Sequence, residues 1–259
     1  MSGDASLDPL ASFRLDDKVV VVTGASAGLG ARFARVLHAV GARVVVTARR
    51  VDRLESLAAE LPGSVALACD VADATQRERL VAETVERLGR VDVLVNNAGI
   101  TYKTPVEAET LEQFRETLEV NTTAVWHLSQ LCGRHMVGQG SGVVVNVASI
   151  LGLVAGTPVK QANYAASKGA VISLTRELAA QWARKGVRVN ALCPGWFPSE
   201  MTAGMQDDEG SRRFIAANSP MPRMGEEHEL DGALLFLASD ASSFMTGQTV
   251  VVDGGWTAR

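Results

Sequence analysis

Cysteine, histidine and aromatic side chains are all scarce in this chain of 259 residues, which has three cysteines and four histidines. Cys69, Cys132 and Cys193 are odd in number, widely spaced and without a CxxC pair. That excludes a disulfide framework and suits a reducing cytoplasm. His38, His127, His135 and His228 have no metal-ligand spacing, so no metal is expected. Aromatics reach only 5%, so a core must be built from Val, Leu and Ala. No apolar run approaches the roughly 18 residues of a membrane-spanning helix, and no membrane partner is expected. Basic residues are in the minority, 25 against 29 acidic ones. The resulting net charge of −4 lacks the basic field that non-specific nucleic-acid binding needs. Residues 1–16 contain three aspartates and no continuous apolar stretch. They do not read as a secretory signal but as a flexible N-terminal tail.

What is abundant is apolar and aliphatic. Hydrophobic residues are 47% of the chain and charged ones 21%, which excludes a disordered polymer. Short Val-rich runs recur at 19–22, 43–47, 65–68, 91–95, 143–147, 187–192 and 249–252. Most do not alternate apolar with polar, which suits strands buried on both faces of a parallel sheet. Between them apolar residues repeat at helical spacing, as in Phe114, Leu118, Val125 and Leu128, or Val171, Leu174, Leu178 and Trp182. The alternation predicts an α/β fold: a single Rossmann-type, doubly wound domain over 17–259, with a seven-stranded, mostly parallel sheet flanked by helices.

The first run leads into Thr23-Gly-Ala-Ser-Ala-Gly-Leu-Gly30. Glycines at 24, 28 and 30 let the backbone turn tightly and approach a pyrophosphate, and the following helix offers free N–H groups at its positive end. A ligand-free strand-to-helix turn is the bland alternative. An NAD-preferring site usually carries an acid at the end of the second strand. Here the residues are Ala48, Arg49 and Arg50, and a guanidinium at that point suits a 2′-phosphate, which favours NADP(H) while leaving NAD(H) possible. Asp52 and Glu55 read as a helix cap and its partner. Asp70, after the third strand, is either a cap or a hydrogen-bond acceptor for adenine.

Ser149 closes the fifth run, at the strand end where ligands of open α/β sheets bind. Tyr164 and Lys168 follow at i and i+4 on one helical face. A phenol ionises near ~10, too high for a base at neutral pH. An ammonium about 5 Å away, at an effective dielectric near 20, would favour the phenolate by roughly 3 kcal/mol, or about two pKa units. Tyr164 could then take or give the alcohol proton, with Ser149 holding the substrate oxygen. Alone, the Tyr–Lys pair would read as a packed ring and a solvated amine. Asn121, on an otherwise apolar helical face, is either a satisfied core amide or a group that frees a backbone carbonyl for a proton relay.

With these residues in place, the chain resembles the short-chain dehydrogenase/reductase family, single-domain type, over about 15–257. The motifs are the glycine turn, Asn96-Asn-Ala-Gly99, Asn121, Ser149 with Tyr164 and Lys168, Pro194-Gly195, and the stretch from Thr246 to Gly255. The resemblance implies a catalytic tetrad of Asn121, Ser149, Tyr164 and Lys168. It implies a coenzyme site formed by Gly24, Ser26, Ala27, Gly28, Leu29 and Gly30, with Arg49 and Arg50 near the ribose and Asp70 and Val71 near adenine. Asn97, Ala98 and Gly99 border the coenzyme, Tyr164 and Lys168 reach its nicotinamide half, and Pro194, Gly195, Phe197 and Ser199 close over it. Three positions depart from the family pattern. The fifteen-residue step from Ser149 to Tyr164 is longer than usual, implying a short insertion within 151–163. Ser199 replaces a usual threonine, and Ala27 stands where a basic residue often accompanies NADP.

The implied activity is NAD(P)(H)-dependent interconversion of a secondary alcohol and a ketone, on CH–OH donors. The general character resembles the 3-oxoacyl-carrier-protein reductase and gluconate 5-dehydrogenase-like branches. Substrate contacts are expected from 150–163 and 196–220, with Trp196, Phe197, Met201 and Met205 suiting a partly apolar carbonyl compound. The helices over 110–136 and 162–185, with Trp126 and Trp182, are expected to pair between subunits of a homotetramer. Two alternatives stay open: a non-catalytic dinucleotide-binding sensor, and a nucleotide-sugar epimerase or dehydratase, for which the region after residue 195 leaves little room.

Overall fold

The computed structural model describes residues 8–156, 159–205 and 207–258. Seven strands form one sheet: β1 (Val19–Thr23), β2 (Arg43–Ala48), β3 (Val65–Ala68), β4 (Val93–Asn96), β5 (Gly142–Val147), β6 (Val187–Pro194) and β7 (Thr249–Val252). Their order is β3-β2-β1-β4-β5-β6-β7, and every neighbouring pair is parallel. Among the described residues eight α-helices pack around them: α1 (Gly28–Ala39), α2 (Val51–Glu60), α3 (Ala74–Leu88), α4 (Leu111–Leu118), α5 (Ala124–Gln139), α6 (Ala162–Trp182), α7 (Glu209–Asn218) and α8 (Asp231–Ala238).

The continuous valine runs are explained by two-sided burial. Val20 and Val22 of β1 face Phe33 and Leu37 of α1 and Leu234 of α8. Val19 and Val21 face the opposite layer, with Leu80 of α3, Leu128 of α5 and Leu178 of α6. All four β1 valines are fully buried, and the strand's one polar residue, Thr23, is buried at its end with its hydroxyl hydrogen-bonded. The chain crosses the sheet between β3 and β4. That crossing opens a crevice at the carboxyl ends of β1 and β4, the place where such sheets take ligands.

Local signals set several boundaries. Asp73 caps α3 by accepting from the N–H groups of Thr75 and Gln76, and Gly89 ends it in the left-handed region. Thr110 and Gln113 form a reciprocal cap at α4. The expected cap at Asp52 is corrected: α2 begins at Val51, its cap position is Arg50, and Asp52 lies within the first turn. There it still complements the helix dipole. The tail expected over 1–16 is held at its inner end. Leu15 is buried, and its N–H donates to the Val40 carbonyl at 2.9 Å; residues 1–7 lie outside the described residues. Among the described residues no helix is long and apolar enough to cross a membrane.

Candidate active site

A cleft of about 870 Å³ runs along the carboxyl ends of the strands. At its floor the turn from β1 into α1 is packed without slack. Gly24 has φ +68°, and a Cβ there would stand 2.9 Å from the Ala98 Cα. A Cβ on Gly30 would overlap the Gly24 carbonyl. Thr23 ties this turn to the end of β4, its hydroxyl oxygen accepting from the N–H groups of Asn97 and Ala98 at 3.0 Å each. Asn97 returns a bond from Nδ2 to the Thr23 carbonyl, 2.8 Å. The cap position of α1 is Ala27, which supplies no side-chain acceptor, so the first-turn N–H groups face the cleft without a cap.

Arg49 and Arg50 both border the cleft. Arg49 is exposed. Arg50 is engaged: it donates to Ser26 Oγ at 3.1 and 2.9 Å and to both carboxylate oxygens of Glu200 at 2.7 and 3.0 Å. That carboxylate raises the Arg50 pKa and is itself held below its usual range by the guanidinium. Asp70 and Val71 stand on the same wall, where Asp70 Oδ1 accepts from the Ala72 N–H at 3.0 Å.

At the other end, Ser149 follows β5 and caps a short turn, Ile150–Gly152, by accepting from the Leu151 N–H at 3.1 Å. Tyr164 and Lys168 stand on the first turns of α6. The Lys168 ammonium lies 5.5 Å from the centre of the Tyr164 ring and donates to the Val147 carbonyl at 2.7 Å. Burial dominates both ionisations. The phenol is pushed up to about 12 by desolvation, with a hydrogen bond to Ser149 pulling the other way. Lys168 is pushed down to about 8 for the same reason. The acidic phenol expected from charge proximity alone is therefore opposed by burial of comparable size.

Asn121 does not line the cleft. It sits behind the wall, fully buried, in a widened helical turn (Glu119–Thr123) between α4 and α5. Its amide is saturated: Oδ1 accepts from the Ile100 N–H at 2.8 Å, and Nδ2 donates to the Ile100 carbonyl and to Ser167 Oγ at 2.9 and 3.0 Å. The side chain is thus the satisfied core amide, and it clamps the segment after β4 to the start of α6. Any relay role falls to the backbone of the widened turn, where an added residue shifts the carbonyl ladder.

Pro194 ends β6, and Gly195 presses on Asp253, where a Cβ would stand 2.7 Å from the Asp253 Cα. The following loop brings Phe197, Ser199, Met201 and Met205 to the cleft, while Ile150, Leu151, Trp196 and Trp256 form an apolar wall with Tyr164 at its margin. Sequence reasoning missed the opposite, polar rim. There Tyr102 donates to Glu116 at 2.6 Å, Thr101 to Gln161 at 3.0 Å, and Lys103 to the Met201 carbonyl at 2.8 Å. No local signal marks Thr101, Tyr102 and Lys103, whose partners lie far along the chain. In the expected insertion loop, residues 157 and 158 lie outside the described residues.

A family model described as "Enoyl-(Acyl carrier protein) reductase" matches residues 24–257. The chain is 41% identical over 247 residues to galactitol 2-dehydrogenase (L-tagatose-forming) of Cereibacter sphaeroides, covering 95% of this chain and 97% of that one. It is 37% identical to gluconate 5-dehydrogenase of Gluconobacter oxydans, covering 95% and 96%. The chain belongs to the short-chain dehydrogenase/reductase family. Among solved structures, a gluconate 5-dehydrogenase from Burkholderia cenocepacia, in complex with NADP and tartrate, superimposes with a TM-score of 0.92 at 36% identity, covering 97% of this chain and all of that one. Membership accounts for the order of motifs along this chain and for the strand order of its sheet.

Proposed function

We propose that this protein is an NAD(P)(H)-dependent oxidoreductase, with NADP(H) preferred, that interconverts a secondary alcohol and a ketone with Tyr164 as general acid and base. The observation that carries the reading is the convergence of Ser149, Tyr164 and Lys168 on one end of a cleft whose other end is the glycine turn. The residues suit a dinucleotide. Backbone packs so closely at Gly24 and Gly30 that a Cβ would collide, and α1 presents an uncapped N-terminus for a pyrophosphate. Gly24 to Gly30, Asn97 to Gly99 and the loop from Pro194 to Ser199 would hold it, with Arg49 and Arg50 at a 2′-phosphate. Bound there, the coenzyme supplies the hydride acceptor or donor.

The chain's own groups handle the proton. Ser149 Oγ, which lines the cleft together with Tyr164, positions the substrate oxygen beside the Tyr164 hydroxyl. Tyr164 takes the alcohol proton in oxidation and returns it in reduction. Lys168, fixed by the Val147 carbonyl, opposes the burial that keeps the phenol neutral. The apolar wall excludes water, while the rim of Thr101, Tyr102, Lys103, Glu116 and Gln161 suits a substrate with several hydroxyls. Two similar proteins bear the names of polyol and sugar-acid dehydrogenases.

Homotetramer assembly is part of the same proposal. It is supported by exposed Val106, Leu111 and Trp126 near α4 and α5, and by Phe244 toward the C-terminus. Trp182, expected at that interface, is half-buried and packs over Gly133 of the neighbouring helix. We place the protein in the cytoplasm on its three free, buried cysteines.

The test is a panel of polyols, sugar acids and 3-oxoacyl thioesters with NADP(H) and NAD(H), followed by nicotinamide absorbance, for the wild type and Tyr164→Phe. Turnover is expected to fall by about 10²–10⁴-fold in the variant with coenzyme binding retained. Silence of the wild type across the panel would favour the sensor, and tightly retained NAD would favour an epimerase.

A further inference from the structure

The ion pair that closes the adenosine end of the cleft has a competitor's geometry. Arg50 is one of the two guanidiniums, with Arg49, that border the cleft just beyond β2, where a coenzyme 2′-phosphate is expected. Its two Nη atoms already hold the two oxygens of Glu200 at 2.7 and 3.0 Å, in the side-by-side arrangement in which arginine also grips phosphate. Arg53 adds a third contact to Glu200 at 3.4 Å. Glu200 comes from the loop after β6, between Ser199 and Met201, which also line the cleft. It lies 150 residues from Arg50, so the contact is made by the tertiary fold alone.

We propose that Glu200 is a coenzyme-specificity residue: an internal carboxylate that occupies Arg50 in place of the 2′-phosphate and so reduces the preference for NADP(H) over NAD(H). This rests on the reading of the cleft as a dinucleotide site. The balance is electrostatic. A 2′-phosphate approaching Arg50 must displace Glu200 or share the guanidinium with it, and sharing sets two anions side by side. A coenzyme without that phosphate leaves the pair intact. Both side chains are partly exposed, 39% for Arg50 and 62% for Glu200, so exchange requires no unfolding. An exposed pair of this kind is weak, which makes the expected effect a modulation of preference and not a block.

The test measures binding of 2′,5′-ADP and of 5′-AMP, as adenosine-end probes with and without the phosphate, by calorimetry on the wild type, Glu200→Gln and Arg50→Ala. Glu200→Gln is expected to tighten 2′,5′-ADP by about two- to five-fold with 5′-AMP changed by less than about 1.5-fold, the gain shrinking at high salt. Arg50→Ala is expected to weaken 2′,5′-ADP and to abolish the effect of the Glu200 change in the double variant. Unchanged or weaker 2′,5′-ADP binding in Glu200→Gln, with normal wild-type binding, overturns the proposal and leaves the dinucleotide reading intact. A wild type that binds neither these probes nor NADPH and NADH overturns both. NADPH and NADH titrations by nicotinamide fluorescence repeat the comparison with whole coenzymes.

Discussion

Replacing Lys168 with methionine keeps most of the side-chain volume and removes the charge, so it isolates the electrostatic part of the site. With the 5.5 Å from Nζ to the Tyr164 ring centre as the charge separation, and an effective dielectric of about 20, the ammonium favours the phenolate by about 3 kcal/mol, close to two pKa units. Burial outweighs the Ser149 hydrogen bond and leaves that phenol at about 12, and the ammonium is the neighbouring charge that favours its ionised form. Its own pKa, pushed down to about 8 by the same burial, sets the sign of the pH dependence. Alcohol oxidation needs the unprotonated phenol and rises with pH. Above about 8 Lys168 loses its proton, its pull on Tyr164 fades, and the rise flattens. In Lys168→Met the rise is expected to continue without that bend, displaced about two units upward, with kcat/KM lower by about 10²-fold at neutral pH. The assay is kcat/KM for alcohol oxidation from about pH 6 to about 11 in both proteins, with coenzyme affinity measured separately. A variant profile that superimposes on the wild type after scaling would refute the argument, because a purely structural lysine lowers the rate without moving its pH dependence.

Asn121→Ala is expected to cost about 2 kcal/mol in urea unfolding, since it removes the partner of the half-buried Ile100 N–H and carbonyl and one of the two bonds of the buried Ser167 hydroxyl; a loss under about 1 kcal/mol would show that the clamp is dispensable. Gly30→Ala places a Cβ on the Gly24 carbonyl and 2.6 Å from Asn97 Nδ2. It is expected to lower stability by about 1–3 kcal/mol and to weaken NADPH binding, read from thermal melts and coenzyme fluorescence. Coenzyme binding equal to the wild type would mean that the turn yields more readily than its packing suggests.

Much of the architecture was written locally. Continuous valine runs encode strands with no solvent face, and the glycine turn after the first of them encodes a backbone that must approach something closely. These signals involve residues near one another in the chain, so reading them requires only short-range sterics and burial. The spacing of Tyr164 and Lys168 likewise sets both on one helical face wherever that helix goes.

What the chain could not declare is which distant groups would meet. Tyr102 and Glu116 look unremarkable until the segment after β4 and the end of α4 form one rim of the cleft. Arg49 or Arg50 was legible as a candidate phosphate partner, but the carboxylate that meets Arg50, Glu200, was not. Asn121 could be placed on a helix, yet only packing shows that Ile100 and Ser167 use its whole amide. The ionisation of Tyr164 is the sharpest case. Proximity to Lys168 follows from helical spacing, but the desolvation that opposes it comes from walls supplied by β5, β6 and the loop beyond. Local order is carried by neighbours, whereas burial and ion pairing depend on three-dimensional distance, which only the tertiary fold decides.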